Sequence, residues 1–212
     1  MTGYPITLVG LEAAGVVVIG GGNVAARKVE ALCEAGARPV VISPVLCETL
    51  KRLADQEEID VILRPYERGD LRGARLVVAA TDDEGTNEAV WREAQATGCL
   101  VNVVDDPARC NFYVPATVRR GALTLSVSTG GQSPLLAGRI RRELESCFDE
   151  AYEPYVALLG ELRSLVQERV PDPARRRALW QALLDSDVLE LFRAGDAAGA
   201  RERADTIVRR YL

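Results

Sequence analysis

Residues 16–25 read Val16-Val17-Val18-Ile19-Gly20-Gly21-Gly22-Asn23-Val24-Ala25, an apolar β-branched run that meets three glycines and then a helix-forming stretch. A near-continuous apolar run is what a strand covered on both faces requires. Val24 to Ala35 has the spacing and the residue types of a helix. The junction is G-x-G-x-x-A. Gly20 permits a tight turn, Gly22 lets the backbone approach a pyrophosphate with no Cβ in the way, and Ala25 allows the helix to pack closely on the sheet. The unsatisfied N–H groups and the dipole at the helix start then favour phosphate. Between a strand and a helix this pattern points to dinucleotide binding; the same local form also serves as a plain turn in other α/β proteins.

Outward from this junction the strand–helix alternation continues. Val40-Val41-Ile42, Ile59 to Leu63, Leu76-Val77-Val78-Ala79 and Leu100 to Val104 are further apolar runs, and Leu46 to Gln56 and Asn87 to Thr97 read as helices between them. That order predicts a doubly wound parallel sheet, an α/β fold. The texture then changes. Phe112-Tyr113-Val114 and Leu123 to Val127 read as two more strands with Arg119-Arg120-Gly121 turning between them. Ser133 is a plausible N-cap and Pro134 a plausible first helical residue of a helix running to about Cys147. From Tyr152 onward nothing reads as a strand. Ala178 to Leu184 and Ala200 to Tyr211 are helical, and Leu162, Leu165, Trp180, Leu183, Leu189 and Phe192 form the expected local core. The expected division is 1–112, 113–150 and 151–212.

Composition narrows the chemistry. With 212 residues, 48% hydrophobic and 27% charged, the chain reads as soluble and globular, neither disordered, collagenous nor a disulfide miniprotein. No apolar run reaches the length of a membrane span. Met1-Thr2-Gly3-Tyr4-Pro5 lacks the basic start of a signal peptide, and a net charge of −5 disfavours nucleic acid as a partner. There is no histidine, which removes Ser-His-Asp and Cys-His catalysis and every histidine-ligated metal site. Cys33, Cys47, Cys99, Cys110 and Cys147 are widely spaced without a C-x-x-C, as in a reducing cytoplasm.

Proton transfer must therefore use a carboxylate, Lys, Tyr, Cys or water. Val101 to Val104 runs into Asp105-Asp106-Pro107 at the end of the fifth strand. Asp-Asp-Pro is good turn chemistry, but ligands of such sheets lie beyond the carboxyl ends of the strands, so Asp105 is the candidate general base. Thr81, after the fourth strand, either touches the cofactor or caps a polar turn. The acidic residue that usually follows the second strand to hold a ribose is replaced by Ser43-Pro44. No arginine stands at that strand end, which favours NAD over NADP. Cys110 reads as a small, partly buried side chain. Arg109, Arg119, Arg120, Arg139, Arg141 and Arg142 are individually ordinary surface charge; together they favour an acidic ligand.

Several segments together resemble a family. Tyr4-Pro5-Ile6, Val18 to Lys28, Ala79 to Asp83, Asn102 to Pro107, Phe112 to Pro115 with Arg119-Arg120-Gly121, and Ser126 to Pro134 occur in the order found in precorrin-2 dehydrogenase, also the N-terminal module of siroheme synthase. The resemblance covers about residues 4–150. It implies a Rossmann domain, a dimerisation region and a helical tail, working as a homodimer with the active site between the first two. It also implies NAD-dependent oxidation of precorrin-2 to sirohydrochlorin in siroheme biosynthesis; some members then insert ferrous iron, and the sequence supports either case. The methylation steps are expected on another polypeptide. Cofactor contacts fall on Gly20, Gly21, Gly22, Asn23, Val24, Ser43, Pro44 and Thr81, and the key acid falls on Asp105. The substrate falls to Arg109, Arg119, Arg120, Ser128, Thr129 and Gly130, with no standing metal site. Thr129 replaces a serine that is phosphorylated in some siroheme synthases, so that regulation does not carry over. The other reading is an NAD-binding regulatory module without catalysis, which usually shows the acidic residue missing here.

Overall fold

The computed structural model describes residues 3–212, so Met1 and Thr2 of the expected leaderless start lie outside the described residues. The chain forms two units, Met1–Val114 and Pro115–Leu212.

In the first unit, strands β1 (Gly15–Ile19), β2 (Val40–Ile42), β3 (Asp60–Ile62), β4 (Ala74–Ala79) and β5 (Leu100–Val103) form one parallel sheet. Its order is β3-β2-β1-β4-β5, a Rossmann-type winding that reverses beside β1. Helices α1 (Asn23–Glu34), α2 (Glu48–Asp55) and α3 (Glu84–Thr97) connect the strands. Strand alternation explains the unbroken apolar runs. Val16 and Val18 of β1 pack with Ala25, Ala26 and Val29 of α1 and with Leu50 and Leu53 of α2. Val17 and Ile19 face the other way, in a cluster with Val90 and Ala94 of α3. Both faces are dry, so neither set of side chains is polar.

The second unit opens with an antiparallel hairpin, β6 (Ala116–Arg120) and β7 (Leu123–Val127). Helices α4 (Pro134–Cys147), α5 (Tyr152–Arg169), α6 (Pro173–Leu184), α7 (Val188–Arg193) and α8 (Ala197–Arg209) follow. Ser133 caps α4, its hydroxyl accepting from Leu136 N, with Pro134 in the first turn. Two segments depart from the expected strands and turn. Phe112 to Val114 is not a strand; Tyr113 and Val114 are 41% and 56% exposed, and Pro115 has no N–H to continue a ladder. Arg119 and Arg120 belong to β6, because pairing of Arg120 with Leu123 leaves only Gly121 and Ala122 for the turn, and Gly121 takes φ +55°.

Of the six residues expected to form the helical core, Leu165 does not join it. Tyr155, Leu158, Leu162 and Val166 line one stripe of α5, joined by Leu179, Leu183, Val188, Ala204, Ile207 and Val208. Leu165 is 38% exposed. At 100° per residue it lies about 60° from the centre of that stripe, on its margin. Leu179 is fully buried. Leu179→Ala is expected to cost about 3 kcal/mol, through lost transfer energy and a cavity. Denaturant titration followed by the fluorescence of Trp180, in a Trp91→Phe background, reads that loss.

Candidate functional site

The carboxyl ends of β1, β2, β4 and β5 share one edge of the first unit. Gly20 leaves β1 with φ +119°, and its amide donates to Ile42 O at 3.0 Å. A Cβ on Gly20 would lie 2.2 Å from Ala80 O, in the segment after β4. A Cβ on Gly21 would lie 1.9 Å from Val45 O and 2.7 Å from Ser43 Oγ, in the segment after β2. Cys47 N donates to Gly21 O at 2.8 Å. The turn is thus wedged between two neighbouring loops, and Gly21, which the motif leaves unspecified, has as strong a steric reason as its neighbours.

Gly22 differs: a Cβ there would meet nothing within 4 Å among the described residues. It precedes α1 without any side-chain cap, and Gly22, Asn23 and Val24 are exposed. The first amides of α1 therefore face open space with no acceptor of their own, the donor set that a pyrophosphate fits.

Ser43 is 6% exposed, and its hydroxyl donates to Val45 O at 2.8 Å. Thr81 Oγ1 accepts from Asp83 N at 2.9 Å, while Asp83 caps α3 by accepting from Thr86 N at 2.6 Å. Ser43 and Pro44, with no arginine, follow β2, but the neighbouring strand supplies one. Ile42 pairs with Ile62 of β3, and Arg64 stands just beyond. Arg64 is claimed by Asp70 in a two-pronged pair of 2.8 and 2.7 Å. The guanidinium holds the Asp70 carboxyl below the usual carboxylate range. The folded state therefore favours the ionised form, so the pair stabilises above the ordinary Asp pKa of about 4 and is lost as pH falls through the lowered value. Asp70→Asn should flatten the acid limb of a melting-temperature profile, which a pH series of thermal melts measures.

Asp105 follows β5 in the left-handed region, φ +60°. Aspartate tolerates that conformation better than most residues. Val104 N donates to Ala79 O at 2.9 Å and fixes the start of the turn. Asp106 does the turn's structural work, accepting from Ala108 N at 3.1 Å and from the Arg109 guanidinium at 2.7 Å. Asn111 closes the free edge of β5, where its side chain accepts from Val101 N at 2.7 Å and donates to Cys99 O at 3.0 Å. Asn102 donates to Phe112 O at 3.1 Å. No side chain or backbone group among the described residues bonds to the Asp105 carboxylate, and the residue is exposed. Burial pushes the Cys110 thiol up, away from nucleophilic use.

The residues expected to meet an acidic ligand divide by what they already hold. Arg109 is paired with Asp106 at 2.7 Å and with Glu84 at 3.7 Å. Arg120 reaches Glu150 at 3.4 Å, and its Nε is buried without a partner among the described residues. Arg139 and Arg141 pair with Glu143 and Glu145. Arg119 is exposed and carries no ion pair among the described residues. Ser128 Oγ accepts from Gly130 N at 3.2 Å, and Thr129 Oγ1 from Ser133 N at 3.0 Å, so both hydroxyls shape the turn before α4.

Comparison with known proteins accounts for nearly the whole chain. Residues 8–116 match a family described as putative NAD(P)-binding, 120–146 the sirohaem biosynthesis protein central region, and 151–207 the sirohaem synthase dimerisation region. The chain belongs to the sirohaem biosynthesis family. Siroheme synthase of Pseudomonas paraeruginosa is 42% identical over 183 residues, 86% of this chain and 39% of that protein. Siroheme synthase 1 of Aeromonas salmonicida is 39% identical over 193 residues, 91% of this chain and 41% of its own length. The chain thus spans about two-fifths of these curated relatives. The solved structure of SirC, a precorrin-2 dehydrogenase, superposes with a TM-score of 0.78 at 27% identity, covering 97% of this chain and 99% of that one.

Proposed function

We propose that this member of the sirohaem family oxidises precorrin-2 to sirohydrochlorin with NAD. The observation that carries the reading is one sheet edge that holds both an uncapped, open helix start at Gly22 and an unpartnered carboxylate at Asp105. The likeness to SirC over almost the full length of both chains supports the substrate. Gly20 and Gly21 hold the turn, and the amides of Asn23 and Val24 would receive the pyrophosphate. NAD, when bound, supplies the acceptor for the two electrons and the hydrogen removed from the ring carbon. Asp105 takes the accompanying ring proton on a carboxylate oxygen, so the step yields sirohydrochlorin, NADH and one proton. Arg119, which like Arg142 is exposed and carries no ion pair among the described residues, is a cation open to the substrate's carboxylates, with Arg109 and Arg120 available by exchange of partners.

On the same reading the chain divides functionally into a Rossmann domain, 1–112, a dimerisation region, 113–150, and a helical domain, 151–212, and works as a homodimer; the match of 151–207 to a sirohaem synthase dimerisation region supports a subunit contact that extends into the helical domain. Its place is the cytoplasm; no described helix is long and apolar enough to cross a membrane. Ferrous iron, where it is inserted, is a substrate held by the nitrogens of the macrocycle. Anaerobic incubation with precorrin-2 and NAD tests the reading. Formation of NADH in step with sirohydrochlorin supports it, and NAD binding with no NADH sinks it in favour of a regulatory module. Ferrous ion added afterwards reads metal insertion from loss of the metal-free spectrum.

A further inference from the structure

The end of β2 lacks the acidic residue that commonly selects NAD by holding the ribose, so selection between NAD and NADP must be made by other groups. The amides of Ser43 and Arg64 donate to the same carbonyl, Ile62 O, at 3.2 and 3.0 Å. The backbone of Arg64 therefore lies beside the end of β2, where a dinucleotide's ribose is expected. Arginine at this edge is the usual means of holding a 2′-phosphate. Here its two terminal nitrogens lie 2.8 and 2.7 Å from the two oxygens of Asp70, and Nη1 also donates to Pro65 O at 2.9 Å. Asp70 is 11% exposed and is further held by Glu67 N at 2.8 Å. A fork-to-fork pair of this kind has the geometry by which guanidinium binds phosphate.

We propose that Asp70 is a cofactor-specificity residue: it occupies Arg64 in place of a 2′-phosphate and so makes the chain select NAD over NADP. This rests on the dinucleotide site proposed above. A 2′-phosphate entering here must either displace Asp70, stranding a largely buried carboxylate, or sit beside its negative charge. Both penalties fall on NADP alone, because NAD carries a hydroxyl at that position.

Equilibrium binding of NAD and NADP, and of AMP and adenosine 2′,5′-bisphosphate as fragments, tests the proposal without turnover. The wild type is expected to bind NAD at least about tenfold more tightly than NADP, one 1.4 kcal/mol step. Asp70→Asn should tighten NADP and the bisphosphate about tenfold while leaving NAD within about twofold. The double variant D70N/R64A should lose that gain. Asp70→Ser carries the same expectation should D70N not fold. Unchanged NADP affinity in the folded variant overturns the proposal, as does a gain that survives removal of Arg64. A wild type that binds neither dinucleotide overturns the site itself, an outcome the NAD measurement alone reveals.

Discussion

Asp105→Ala protein is expected to bind NAD as tightly as the wild type and to oxidise precorrin-2 at least about a hundredfold more slowly, the usual scale for loss of a general base. The chain contains no histidine to substitute. Asp106 is not available either, since the backbone of the following turn and the Arg109 guanidinium already hold its carboxylate. Asp105 also sits at φ +60°, so alanine adds a backbone penalty of about 1 kcal/mol. Asp105→Asn removes this ambiguity: asparagine is as tolerant of the left-handed region and has the same shape, yet it cannot take up the proton. Turnover by D105N and D105A, alongside NAD affinity, is the measurement. Wild-type rates in D105N would end the assignment of Asp105 as the base.

The second large effect separates two adjacent glycines. Gly22→Ala should leave the fold intact, because its new methyl group meets nothing within 4 Å. It would instead occupy the space before α1, so NAD affinity should fall at least about tenfold with little change in melting temperature. Gly21→Ala should behave in the opposite way. Its methyl group would lie 1.9 Å from Val45 O, a backbone atom tied into the same loop. The loop must move, at a cost of about 1–3 kcal/mol, and NAD binding suffers as a consequence of lost stability. Thermal melts paired with NAD titrations distinguish the two. If G22A melted early, or if G21A kept the wild-type melting temperature, the two roles would have to be exchanged.

Much of the first unit was legible because its signals are local. Each of β1, β2, β4 and β5 is a short apolar run, and Gly20 to Ala25 carries its own turn chemistry. The Ser133 cap and the Pro134 start of α4 are likewise written within a few adjacent residues. The misread segments lack such closure. Phe112 to Val114 has the composition of a strand but no ladder partner, and whether a partner exists depends on residues elsewhere in the chain. Arg119 and Arg120 read as turn residues because Gly121 follows them, yet the pairing of Arg120 with Leu123 across the hairpin puts both in β6.

Sequence by itself determined the winding of the sheet, the glycine turn and the nomination of Asp105. Strand alternation, helix spacing and the absence of histidine are properties of neighbouring residues and of counts. Tertiary structure alone decided which polar groups are already taken. Arg64 is spent on Asp70, Arg109 on Asp106 and Arg120 on Glu150, whereas Asp105 is left unpaired by the groups around it. Pairing of this kind depends on distances of about 3 Å between atoms that several strands and turns bring together, and no residue pattern along the chain encodes such a distance directly.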